Sequence, residues 1–130
     1  MSNDAAPATV LIVDDDAETI ATYARVLRLD GYSVRTALSA EAGLREIDAC
    51  DPDAIILDLH MPDVDGLEFL RRLRARGDEH LIPVVMVTGD YYVADDVAGE
   101  LKSLSAELRL KPLWFDDLTS LVRTLTTSHT

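Results

Sequence analysis

The chain has 130 residues, enough for one domain whose single core buries roughly two thirds of its unfolded surface. Twelve basic residues against twenty-four acidic ones leave a formal charge of −12, which argues against a nucleic-acid partner and suits a cation or a basic protein. The lone Cys50 cannot close an internal disulfide, the N-terminus lacks the regions of a signal peptide, and no apolar run approaches the ~20 residues of a membrane span, so we expect one cytoplasmic domain over residues 1–130, with its core at about 8–126.

Residues Met1 to Ala6 are small and polar and read as a loose terminus. Val10 to Val13 is an apolar run that stops on Asp14-Asp15-Asp16, a buried strand ending on acids. Ile20, Ala24 and Leu27 then recur at helical spacing from Ala17 to Leu29, with Asp16 as the cap and Gly31 just past the end. Tyr32 to Ala37 alternates around Val34, the pattern of a half-exposed edge strand, and Ser39 can cap a helix with Ala40, Leu44 and Ile47 inward, ended by Asp51-Pro52. Ala54 to Leu57 is a third strand, apolar on both faces, and it ends on Asp58, because Met61-Pro62 and the Asp-x-Asp-Gly that follows cannot continue it.

Leu67, Leu70 and Leu73 mark the third helix, and its outer arginines, Arg71, Arg72, Arg74 and Arg76, read as a solvated face up to Gly77. Pro83 to Val87 is a fourth apolar strand, ending on Thr88. Val93, Val97, Leu101 and Leu104 form the stripe of a fourth helix, which Gly99 weakens by about 1 kcal/mol relative to Ala. Tyr91 and Tyr92 open that helix, either packed or exposed. Leu108 to Leu110 is a short edge strand before Lys111-Pro112, and Trp114, Leu118, Leu121, Val122 and Leu125 make the last helical stripe, with Trp114 expected in the core and Thr126 to Thr130 frayed. Cys50 looks inert, and His80 and His129 fall in no motif.

Five strand–helix units in strict alternation require parallel strands with right-handed crossovers, a doubly wound α/β fold with helices on both faces. Strands one, three and four are apolar throughout and so central, while two and five alternate and so lie at the edges. The order 2-1-3-4-5, the flavodoxin-like (βα)5 arrangement, satisfies this and places its switch point between strands one and three, where such sheets bind ligands. Asp14, Asp15 and Asp58 meet there. Two like charges ~4 Å apart repel by about 4 kcal/mol at an effective dielectric of 20, so a hard cation is the natural compensation, and Mg²⁺ suits a shallow loop site of few carboxylates. Thr88 adds a hydroxyl and Lys111 a positive charge, which together describe a place to hold a phosphoryl group on Asp58 as nucleophile.

The acid pair after the first strand, D-x-x-M-P-D-x-D-G from Asp58, Thr88 after the fourth strand and Lys111-Pro112 after the fifth resemble the receiver domain of two-component response regulators, of the CheY-like, stand-alone kind, over about residues 8–126. The resemblance implies that Asp58 takes a phosphoryl group from a histidine of a sensor kinase or phosphotransfer protein. It implies a Mg²⁺ site of Asp14, Asp15, Asp58 and the main-chain carbonyl of His60, with Asp15 and Asp58 the more direct ligands. It implies that Thr88 and Lys111 bind phosphoryl oxygens, that the Lys111-Pro112 bond is cis, and that His60 and Asp90 influence how long the phosphoryl group survives. With few residues after the last helix, no output domain is expected on the chain. It would not be an enzyme beyond its own phosphorylation and dephosphorylation, and would act through an unidentified output protein, without nucleic acid or membrane.

Three positions depart from the family pattern. Leu108 stands where an aromatic usually switches inward, Leu104-Ser105-Ala106-Glu107 lacks the usual Gly-Ala, and Gly89 replaces a common alanine. We therefore expect intact phosphorylation chemistry with altered transmission through the fourth helix and fifth strand. A phosphorylation-independent interaction module is the alternative that Leu108 favours and the complete acid set opposes. A phosphohydrolase with an aspartyl nucleophile is a second rival, opposed by His60 where a second acid would stand.

Overall fold

The computed structural model describes residues 7–77, 82–90 and 92–127. Its strands are β1 (Thr9–Val13), β2 (Ser33–Ala37), β3 (Ala54–Asp58), β4 (Val84–Thr88) and β5 (Ala106–Leu110), and its helices are α1 (Ala17–Leu29), α2 (Ala40–Cys50), α3 (Gly66–Ala75), α4 (Asp95–Ser103) and α5 (Phe115–Thr127). All four neighbouring strand pairs are parallel, in the order β2-β1-β3-β4-β5. The expected sheet is therefore the observed one. Every residue of β3 and β4 is buried, whereas β2 and β5 alternate or lie open, because each of these edge strands lacks a neighbouring strand on one side.

Two apolar layers fill the space on either side of the sheet. One joins Leu11, Val13, Leu57 and Met86 to α2, to Leu67, Phe69, Leu70 and Leu73 of α3, and to Leu101 of α4. The other joins Val10, Ile12, Ile56 and Val87 to Tyr23, Ala24 and Leu27 of α1 and to Leu118, Val122 and Leu125 of α5. Alternation along each strand produces this division, since successive side chains leave opposite faces.

Side-chain caps start three of the helices. Asp16 accepts from the Glu18 N–H, Ser39 from Ala42 and Asp65 from Glu68, each satisfying a donor the helix leaves open, for about 1 kcal/mol. Gly31, at φ +97°, ends α1 in the left-handed region that favours glycine. By contrast, α4 has no side-chain cap and buries only Leu101. It starts at Asp95, so Val93 and Tyr92 lie before it, and Tyr92 is exposed.

Trp114 is not in the core. It is 69% exposed, because α5 starts one residue later and Leu113, in the preceding turn, takes the buried place at 7%. At the other end α5 continues through Thr127, so Thr126 and Thr127 are helical. Expectations for Met1 to Ala6, His80, Tyr91, residues 128–130 and His129 fall outside the described residues. Among the described residues no helix is long and apolar enough to cross a membrane.

Candidate functional site

Register brings the chemical groups together. Val13 pairs with Leu57, so the acids that follow β1 stand beside Asp58, and Thr88 lies one residue beyond Val87, the partner of Asp58. Carboxylate oxygens of Asp14, Asp15 and Asp58 all lie within 4.8 Å of one another. Asp14 and Asp58 are 4% and 5% exposed, while Asp15 faces solvent. Burial and the Asp14 charge raise the Asp58 pKa above the ordinary carboxyl value, with Lys111 opposing them.

Lys111 reaches this cluster from the far edge of the sheet. Its Nζ donates to Asp14 Oδ2 at 3.1 Å and lies 3.2 Å from Asp58 Oδ1. Burial pulls the ammonium pKa down, but its bonds to the two carboxylates outweigh that and leave it raised. The main chain fixes this reach, since the Lys111 N–H donates to the Thr88 carbonyl at 2.7 Å. The Lys111-Pro112 bond that follows is cis, as the resemblance implied. Thr88 itself is fully buried, and its Oγ1 accepts the Asp90 N–H at 3.1 Å.

The six residues singled out in the sequence thus occupy one mouth. Asp14, Asp58, Thr88 and Lys111 form its floor and Asp15 its rim. His60 sits on the β3–α3 loop, where its Nε2 lies 2.6 Å from Asp90 Oδ2 across the opening, and both side chains are exposed. An imidazole and a carboxylate expected separately at the mouth are therefore one bridge between two loops. Asp16 does not join the cluster; it caps α1 and also accepts from Thr19 Oγ1 at 2.6 Å.

Oxygen donors at this spacing fit a hard divalent cation, and the Lys111 ammonium already lies against Asp14 and Asp58 as their counter-charge. The start of α3 packs against the Asp58 main chain only because Gly66 has no side chain. A Cβ there would lie 2.3 Å from the Asp58 carbonyl oxygen, and the Gly66 N–H donates to the Leu59 carbonyl at 2.9 Å.

Two contributors escaped the sequence reading. Tyr23, buried on α1, accepts the Leu113 N–H at 3.4 Å and so supports the turn that follows Lys111. Its signal was present, since position 23 completes an i, i+3, i+4, i+7 stripe with Ile20, Ala24 and Leu27. Arg74 was assigned to a solvated face, yet it is partly buried and donates from Nε to the Leu104 carbonyl at 2.8 Å. Nothing in a run of arginines separates that one from its neighbours.

Comparison with known proteins gives the same frame. The family model of the response regulator receiver domain matches residues 10–123. The transcriptional regulatory protein PrrA of Mycobacterium leprae is 37% identical over 116 residues, covering 89% of this chain and 48% of that protein. The response regulator MprA of Mycolicibacterium vanbaalenii is 36% identical over 119 residues, 92% of this chain and 50% of that protein. The chain thus spans about half the length of these curated relatives. Among solved structures, the chemotaxis protein CheY4 of Vibrio cholerae superposes with a TM-score of 0.83 at 27% identity over 92% of this chain and 99% of that one. A CheY-like receiver domain from Methanospirillum hungatei gives 0.84 at 26% identity, covering 95% of this chain and 96% of that one. With the acids, Thr88 and Lys111 at the strand ends where the fold places its site, the chain belongs to the response regulator receiver domain family.

Proposed function

We propose that Asp58 accepts a phosphoryl group from a phosphohistidine of a sensor kinase or phosphotransfer protein. The observation that carries this reading is the position of Lys111 Nζ, within 3.2 Å of both the Asp14 and Asp58 carboxylates, although 97 and 53 residues separate it from them in the chain. A charge brought that far to a buried carboxylate pair does more than offset repulsion if it also meets an incoming anion.

In the transfer, a carboxylate oxygen of Asp58 attacks phosphorus in line with the departing imidazole nitrogen. The P–N bond breaks, an O–P bond forms, and the imidazole leaves with the bonding pair and takes up a proton. Lys111 would neutralise charge on the equatorial oxygens, and the Thr88 hydroxyl, now held against the Asp90 N–H, would donate to one of them. Asp14, Asp15, Asp58 and the His60 carbonyl would hold Mg²⁺, the metal that receiver domains take at their acidic pocket. When bound, the cation adds a further positive centre for phosphoryl oxygens and relieves repulsion among the acids.

The relatives PrrA and MprA are named as a transcriptional regulator and a response regulator. We read the present 130 residues as one receiver domain that passes its state to an output by protein contact, acting on no outside substrate. A cytoplasmic setting fits a kinase donor of this kind.

Incubation of the protein with Mg²⁺ and acetyl phosphate, followed by intact mass measurement, tests the reading. One phosphoryl adduct should form in the wild type, depend on Mg²⁺, and be absent from Asp58→Asn. Failure of the wild type to form it favours the phosphorylation-independent module, for which Leu108 on β5 is the supporting feature. Repeated turnover of an outside phosphoester would favour the hydrolase.

A further inference from the structure

The phosphoacceptor reading leaves the arginines of α3 without a role. That helix is fixed to Asp58 at its first residue, where Gly66 packs on the Asp58 carbonyl and donates to Leu59. Its second half reaches the opposite way. Arg71 forks onto Glu100 of α4, with Nε 2.5 Å from Oε2 and Nη2 2.7 Å from Oε1. Arg74 donates from Nε to the Leu104 carbonyl at 2.8 Å and from Nη2 to the Ser105 carbonyl at 3.5 Å, on the turn between α4 and β5.

The receiving side has little else to hold it. Leu101 is the only fully buried residue of α4, β5 has none, and α4 lacks a side-chain cap. Ser105 adopts φ +60°, a left-handed conformation that side chains other than glycine disfavour, and its carbonyl is one of those Arg74 holds. One short helix therefore touches the Asp58 main chain at one end and pins both α4 and its strained exit turn at the other.

We infer that Arg71 and Arg74 are positioning residues that link the state of Asp58 to the α4–β5 face through α3, a role resting on Asp58 being the phosphoacceptor. A bidentate guanidinium–carboxylate pair tolerates little change in relative position, so a shift of α3 either carries α4 with it or breaks the fork. This link needs no aromatic at position 108. It offers a transmission route in a chain where Leu108, partly buried against the same apolar layer, occupies that place.

Amide hydrogen exchange over Asp95 to Leu110 tests the link in the intact chain, before and after treatment with Mg²⁺ and acetyl phosphate, with adduct stoichiometry read by intact mass on the same samples. Wild type, Arg74→Ala, Arg71→Ala and Glu100→Gln should all carry the adduct. Phosphorylation should change exchange in the wild-type segment by about fivefold or more, the scale of an ordinary coupling between sites. The three variants should lose most of that change, and Arg71→Lys, which keeps one bond to Glu100, should retain part of it. A merely structural role would raise exchange before phosphorylation and leave the phosphorylation-dependent change intact. That pattern overturns the inference, as does a phosphorylated wild type with no change in the segment. A wild type without adduct overturns the phosphoacceptor reading and this link together. If Arg74→Ala fails to fold, Glu100→Gln and Arg71→Lys alter only partly exposed side chains and decide the question.

Discussion

The middle of the sheet and its β5 edge are built on different terms. Asp14, Asp58 and Thr88 follow or end strands whose neighbours are almost all buried, so each chemical group is aimed by several side chains contributing about 1.5–3 kcal/mol apiece. At the edge, β5 has no fully buried residue and α4 has one, and much of what fixes them is polar: the Arg71–Glu100 fork, the Arg74 bonds, and a Glu107–Arg109 contact along the strand. Exposed ion pairs contribute about 0–1 kcal/mol each. Under the proposed function, the centre must hold its geometry through phosphoryl transfer, whereas a face that reports on it must rearrange at low cost.

The largest test of this contrast uses two glycines. Gly66→Ala forces a methyl group to 2.3 Å from the Asp58 carbonyl oxygen, a backbone atom that cannot step aside, and should cost about 3 kcal/mol or more in denaturant unfolding. Gly99→Ala, on α4 with nothing within 4 Å of the added carbon, should instead stabilise by about 0.5–1 kcal/mol. Equal effects at the two positions would break the distinction between a rigid centre and a loose edge.

A smaller effect, of opposite sign to most core substitutions, is expected at Asp58. Its pKa is raised in the folded protein, first by burial and then by Asp14, from the ordinary carboxyl value of 3.8. The folded state therefore binds more protons than the unfolded one between 3.8 and the raised value, and stability falls as pH rises through that interval. Above it, the cost of the ionised carboxylate is fully present. Without divalent metal, Asp58→Asn should raise the stability at neutral pH, and the gain should vanish well below pH 3.8. Added Mg²⁺ should stabilise the wild type more than the variant. Thermal unfolding across pH with and without Mg²⁺ measures both.

At the mouth, the His60–Asp90 bridge joins the loop after β3 to the loop after β4. His60→Ala and Asp90→Ala should each speed loss of the phosphoryl group by about two- to fivefold through freer entry of water, and the double variant should be no faster than either single one, because both remove the same contact. Additive effects would mean that the two side chains act separately.

How much of this was legible in the sequence follows the same division. Central strands announce themselves because burial on both faces demands unbroken apolar runs, so the meeting of Asp14, Asp58 and Thr88 could be read from Val10 to Val13, Ala54 to Leu57 and Val84 to Val87, while Lys111 followed from the short alternating edge strand Leu108 to Leu110. The caps at Asp16 and Ser39 were equally legible, since capping depends on a side chain and an amide two or three residues on. Trp114 was misplaced because its spacing fits the α5 stripe, and only the point where the helix starts, set by the turn after Pro112, puts it outside. Arg74 could not be distinguished from Arg71, Arg72 and Arg76, because its partners are main-chain carbonyls 30 and 31 residues away that any sequence supplies. Position along one element is local information; which carbonyl lies across a gap is not.

Ser105 is where the two regimes meet most closely. The turn from α4 into β5 passes through φ +60° at this residue, the place where glycine would be at ease, and a serine is kept there with its carbonyl under Arg74. Ser105→Gly should remove about 1 kcal/mol of backbone strain in the folded state while losing about half of that gain to the freer unfolded chain, leaving a net stabilisation near ~0.5 kcal/mol. The sharper comparison is with Arg74→Ala made in the wild type and in the Ser105→Gly background. If the guanidinium holds the turn in its strained form, Arg74→Ala should cost less when serine occupies the turn than when glycine does, because the released serine turn relaxes and recovers part of its strain, by about 0.5 kcal/mol in a double-mutant cycle read from unfolding midpoints. A cycle that closes to zero would mean that Arg74 supports α4 alone and that the turn keeps its conformation without help.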